Sequence, residues 1–155
     1  MADAPAAPLE AAAAREARVR ESFGRQRIMD LFGAALTGVG EGSVEITLPF
    51  RADLCQHNGY VHAGVSTTIA DSAGGYAAYS LCAPGEDVLT SEFKMNFLAP
   101  AAGDALLARG RVLKAGSRLF VCQVEVLARQ GEREIACVAG LMTVVRIVPR
   151  PAAGT

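Results

Sequence analysis

The chain has 155 residues, 51% of them hydrophobic, which suits one domain that buries roughly 68–70% of its unfolded surface without disulfide or metal staples. Lysine and arginine number 15 against 16 for aspartate and glutamate, so a formal charge of −1 excludes a general attraction to nucleic acid or anionic membranes. No apolar run approaches about 18 residues, and the Ala-rich start lacks a basic segment followed by an unbroken apolar one; both predict a cytoplasmic protein without a membrane span.

Residues 1–8 are rich in Ala and Pro and read as a disordered segment, 9–148 as a single domain, and 149–155 as a C-terminal tail. From Glu10 to Phe32 strong helix formers carry Val19, Phe23, Ile28, Leu31 and Phe32 at helical intervals, which predicts a helix broken near Gly24. Gly38, Gly40 and Gly42 then mark a turn. Their GxGxG pattern precedes a strand, whereas a dinucleotide-binding loop must open a helix, so it reads as a plain hairpin. In Ser43–Pro49, Val44, Ile46 and Leu48 alternate with polar residues, as in a half-buried strand.

The segment QHNGYVHAGVSTTIADSAGG, residues 56–75, holds both histidines of the chain. A Gly-punctuated loop here opens into a small-residue helix, predicted over Gly64–Leu81. Free N–H groups at its start and an acid, Asp71, about two turns on are parts from which a carbonyl oxyanion site can be built. Gly74 and Gly75 each cost that helix about 1 kcal/mol relative to Ala, which close packing on a sheet explains. Beyond Ala83-Pro84-Gly85 come four strands, Val88–Leu98, Ala105–Leu113, Leu119–Ala128 and Ile135–Val148, joined by short turns. The order predicts an α+β fold, an antiparallel sheet with one helix on its face. The last strands are too apolar for a face left wholly in water, and a second copy is expected to cover part of the sheet.

Cys55, Cys82, Cys122 and Cys137 are widely spaced, without a CxxC pair, and are expected as free, mostly buried thiols. Cys55, His57 and His62 make a poor tetrahedral zinc set, being three ligands within eight residues with no matching pair elsewhere. Ser66, Ser72 and Ser80 lack a G-x-S-x-G elbow. No metal and no cofactor is expected.

The loop NGYVHAG, an Asp nine residues after its His, and the strand FKMNFLAP together resemble hotdog-fold thioesterases of the phenylacetate-degradation (PaaI-like) type, over about Leu48–Val145. The resemblance implies a hotdog fold, an antiparallel sheet wrapped around a long central helix. It also implies hydrolysis of acyl-CoA thioesters by homodimers, paired into homotetramers, with each site shared between two subunits. Carried over residue by residue, Asp71 activates the water, and the backbone N–H of Ala63, with Gly64, faces the thioester carbonyl. Asn58 orients carbonyl or water, with Gln56 and His57 as alternatives on the same loop, and His62 braces that loop. Thr90 is the strand partner of the acid. Ala63 stands where the family has the first Gly of His-Gly-Gly, a change that a backbone donor tolerates. The turn Lys114-Ala115-Gly116-Ser117-Arg118 falls where related enzymes touch the nucleotide arm of CoA, and its cations and turn N–H groups suit phosphate; Arg109 and Arg111 read as exposed strand residues. The alternatives are a hotdog enoyl-CoA hydratase or dehydratase, which needs the His as proton carrier, and a non-catalytic acyl-CoA-binding protein.

Overall fold

The computed structural model describes residues 11–148, so the expected disordered segment 1–8 and the tail 149–155 lie outside the described residues. The leading helical region is two helices, α1 (Ala12–Phe23) and α2 (Arg27–Phe32), broken after Gly24 as its helix-weakening backbone predicts. Arg18 of α1 reaches the far end of the central helix, donating to the carbonyls of Tyr79 at 3.2 Å and Cys82 at 2.9 Å. Its guanidinium also stacks 4.6 Å from the Tyr79 ring centroid. A cation on the last carbonyls of a helix both satisfies them and opposes the helix dipole, and here it ties α1 to the site-bearing helix.

The glycines at 38 and 40 depart from the sequence expectation. They lie within a strand, β1 (Ala35–Gly40), which pairs antiparallel with β2 (Ser43–Pro49); only Gly42, at φ 68°, takes the turn conformation. Glycine weakens a strand in isolation, but a bulge between Leu36 and Gly38 and the ladder to β2 outweigh that preference. In β2, Val44, Ile46 and Leu48 are buried, as the alternation requires. A short 3-10 turn, Ala52–Leu54, leads through the loop to α3 (Ala63–Tyr79), followed by β3 (Asp87–Phe97), β4 (Ala105–Ala115), β5 (Leu119–Gln130) and β6 (Arg133–Ile147). Helix α3 and strands β3 to β6 are the predicted ones with ends shifted by at most two residues, whereas the 3-10 turn was not predicted.

All neighbouring strands are antiparallel, in the order β1-β2-β4-β5-β6-β3. Helix α3 crosses one face of the sheet and returns the chain to the opposite edge, where β3 pairs only with β6. Ile69, Ala70, Ala73 and Ala77 of α3 pack with Ile46, Leu48, Phe120, Val124 and Met142 in one core. Each large apolar side chain fully buried there stabilises by about 1.5–3 kcal/mol.

Glycine sets how close helix and sheet come. A Cβ on Gly110 of β4 would run into the backbone of Ala73 and stand 2.6 Å from Gly74 N, and one on Gly74 would meet Met142 Sδ and stand 2.8 Å from Val124 Cγ1. Sheet packing therefore explains Gly74. It does not explain Gly75, where a Cβ would meet nothing within 4 Å, contrary to the sequence expectation.

Among the described residues, part of the helix side of the sheet is left uncovered beyond α3. Phe93 and Phe97 of β3 stand opposite Met142 and Val138, both buried, so they share that face, yet they are 45% and 54% exposed. On the opposite face Leu119, Val121 and Leu141 are also exposed.

Candidate active site

Chain order alone explains how α3 begins. His62 is its N-cap in extended conformation, φ −60° and ψ 140°, and its Nδ1 accepts the Gly64 N–H at 2.9 Å. A side chain satisfying one of the four free N–H groups at a helix start is the usual capping arrangement, supplied here by imidazole. The Gly64 N–H is thereby occupied. The N–H of Ala63 has no acceptor among the described residues, and Ala63 lines a groove of about 460 Å³. Gln56, Tyr60, Phe97 and Val138 also line that groove.

The loop before α3 separates the three candidates that the sequence left open. Asn58 and His57 are exposed and do not line the groove, whereas half-buried Gln56 does. The Asn58 N–H donates to Gln56 Oε1, and the Gln56 N–H donates to Tyr60 O at 2.8 Å, so the tight turn through Gly59 (φ 83°) holds Gln56 at the groove. Of the three, Gln56 is the side chain beside Ala63 in the groove. Cys55 Sγ donates to Arg51 O at 3.5 Å, His62 is engaged as a cap, and among the described residues no three His, Cys, Asp or Glu side chains are placed to hold a metal ion.

Asp71 is half-buried, two turns along α3. Its Oδ1 accepts the Thr90 hydroxyl at 2.7 Å, across the gap between helix and edge strand. Thr90 sits opposite Val144, a buried residue, which puts it on the helix side of the sheet and within reach of the acid. Beside this pair lies a chamber of about 350 Å³ whose lining includes Ser22, Gln26, Gly75 and Tyr76. Gln26 Oε1 accepts from Ser72 Oγ at 3.2 Å, and Ser22 Oγ lies 3.4 Å from Tyr76 OH. Burial pushes the Tyr76 phenol above its usual range, keeping it a neutral hydrogen-bonding group. Ser22 and Gln26 went unpredicted: they lie 54 and 46 positions from their partners, and no local pattern signals such a contact.

Eight helical residues at about 1.5 Å each place Asp71 about 12 Å from Ala63 along α3. A reacting carbonyl must lie within about 3–3.5 Å of both an oxyanion donor and the attacking water. Within one protomer the Ala63 N–H and the Asp71 carboxylate are therefore too far apart to meet at one carbonyl.

The turn after β4 lies at the sheet end where α3 terminates. Lys114, Ser117 and Arg118 are exposed; the Gly116 N–H donates to Leu119 O and the Arg118 carbonyl accepts from Arg146 N, so the side chains rather than the turn N–H of Gly116 are available to an anion. Arg109 differs from the simple exposed residue that the sequence suggests. It donates to Glu45 at 2.8 Å and Glu134 at 2.9 Å on the helix-free face, and it holds the Glu45 carboxyl below its usual range. Arg111 is exposed, as expected, and donates to Gln123 Oε1.

Residues 58–135 match the family model described as "Thioesterase superfamily". A thioesterase family protein from Silicibacter pomeroyi superposes with a TM-score of 0.85 at 38% identity, covering 87% of this chain and 99% of that one. The PaaI protein of the phenylacetic acid degradation operon of Escherichia coli superposes at 0.78 with 22% identity over 86% of this chain and 93% of its own, a likeness of fold. The 1,4-dihydroxy-2-naphthoyl-CoA hydrolase of E. coli is 31% identical over 108 residues, 69% of this chain and 77% of that protein. With the matched segment running from the loop before α3 into β6, the chain belongs to the Thioesterase superfamily and is a thioester hydrolase of the hotdog fold.

Proposed function

We propose that the protein hydrolyses acyl-CoA thioesters to free acid and CoA in sites shared between two copies of the chain. The observation that carries the reading is the hydrogen bond from Thr90 to Asp71, which aims a half-buried carboxylate into a chamber about 12 Å from the open N–H at the helix start. A partner whose β3 edge and exposed Phe93 and Phe97 meet their counterparts brings the two half-sites together, and covers apolar surface that a monomer leaves in water. Pairing of such dimers gives the tetramer.

In this reading Asp71 takes a proton from a water that attacks the thioester carbon. The Ala63 N–H of the other copy stabilises the oxyanion, Gln56 orients the carbonyl, and Thr90 fixes the carboxylate rotamer. Collapse of the tetrahedral intermediate breaks the C–S bond, and the proton held by Asp71 passes to the departing sulfur. His62 acts through the loop it braces. Lys114, Ser117 and Arg118 meet the CoA phosphates. A thioester is already activated, so one donor and one placed base suffice without metal or cofactor.

Release of free thiol from a panel of acyl-CoAs tests the assignment. Asp71→Asn should lower kcat by about 10²–10⁴-fold, the usual worth of a positioned base; turnover equal to wild type on the best substrate overturns it. Sedimentation showing only monomer at micromolar concentration would remove the shared site.

A further inference from the structure

Gly75 is a helix-interior glycine that packing does not require. Its neighbour Gly74 is pressed against Met142 and Val124, whereas a Cβ at 75 would meet no atom within 4 Å. The space it leaves is not bulk solvent alone: Gly75 is half-buried and lines the same chamber of about 350 Å³ as Asp71 and Thr90. It lies four positions on from Asp71, so the two positions are neighbours on one helix face, where Cβ atoms stand about 5–6 Å apart. A side chain at 75 would stand beside whatever carbons follow a carbonyl attacked by water at Asp71.

We infer that Gly75 sets the width of the acyl pocket, admitting acyl groups that are branched or cyclic close to their carbonyl. Tyr76, Val88 and Leu89 supply apolar wall in the chamber. Ser22 and Gln26, brought in by the α1–α2 junction, add polar atoms at its margin. The chain thus accepts the conformational cost of glycine in a helix where no backbone approaches, and gains pocket width next to the acid. The inference rests on the thioesterase reading of Asp71.

Two variants separate the pocket role from a structural one. Gly75→Ala adds a good helix former with nothing to clash against, so the melting temperature should rise by about 2–4 °C. Gly75→Leu places a branched side chain in the chamber. Thiol release would be measured for wild type and both variants with acetyl- and butanoyl-CoA, and with isobutanoyl-, cyclohexanecarbonyl- and benzoyl-CoA. For the wide acyl groups Gly75→Leu should lower kcat/KM by about tenfold or more, with Gly75→Ala between it and wild type; the straight chains should stay within about twofold. Equal losses across the panel, or no change with the wide groups in folded Gly75→Leu, overturn the inference while leaving the thioesterase reading intact. If Gly75→Leu fails to fold, a Gly75→Ala profile unchanged from wild type overturns it. A wild type inert towards every acyl-CoA overturns the thioesterase reading and the inference with it.

Discussion

Replacing Ala63 with proline would remove one atom pair, the N–H proposed to hold the oxyanion, and little else. Ala63 is the first residue of α3, the helical position where proline is favoured because its N–H has no intrahelical partner. His62, at φ −60° and ψ 140°, already sits in the extended region required of a residue before proline. The cap from His62 goes to Gly64, so it survives. Stability should therefore stay close to wild type, with a melting temperature within about 2 °C. Loss of one preorganised oxyanion donor is worth about 2.7–4 kcal/mol, so kcat should fall about 10²–10³-fold, read by thiol release on the best acyl-CoA. A folded Ala63→Pro enzyme within about threefold of wild-type kcat would refute the assigned donor. The same variant tests site sharing. Co-refolded with Asp71→Asn, it yields mixed dimers in which one of two sites combines an intact Ala63 with an intact Asp71; random mixing makes half the dimers mixed and restores about a quarter of wild-type activity. Demonstrated mixed dimers with no recovery would refute a site built from two copies.

Gly110→Ala should cost about 3 kcal/mol or more in urea unfolding, because its Cβ meets helix backbone at Ala73 and Gly74, whereas Gly74→Ala should cost less, since flexible Met142 can swing away and the helix gains propensity. A Gly110→Ala protein within about 1 kcal/mol of wild type, or less affected than Gly74→Ala, would contradict the close helix–sheet contact. Burial pushes the Cys82 and Cys122 thiols up to about 11 and raises that of Cys137, so at pH 8 native protein should react rapidly with a disulfide reagent only at Cys55, and denatured protein at all four cysteines. Because folding favours their neutral form, their stabilising contribution is complete below the ordinary thiol value of 9.0 and is lost as pH rises towards about 11; urea midpoints that do not fall over that window would count against it.

Several elements were legible because their signals are local. The alternation of Val44, Ile46 and Leu48 marked β2, and the small-residue run with its final Pro-Gly marked α3 and its end. The pairing of Asp71 with Thr90 was reached only through the family resemblance, since 19 residues and a change of element separate them. Composition misplaced β1: glycines read as turn formers, yet ladder hydrogen bonds to β2 hold two of them extended. In the loop before α3 the resemblance pointed to Asn58, with Gln56 and His57 as alternatives, and only the folded turn at Gly59 showed that Gln56 is the one of the three that lines the groove.

By itself the sequence determined the α+β class, the helix that carries the acid, and the chemistry that a capped helix start and a carboxylate make possible. These follow from periodicity, capping and turn residues, all effective over a few positions. Tertiary structure alone decided that Gly74 is a packing residue while Gly75 opens a chamber, and that Ser22 and Gln26 reach the acid's surroundings. It also set Ala63 and Asp71 too far apart to share one carbonyl within a single copy. Two adjacent glycines have the same local preferences; only what stands opposite each of them, a sheet or empty space, tells them apart.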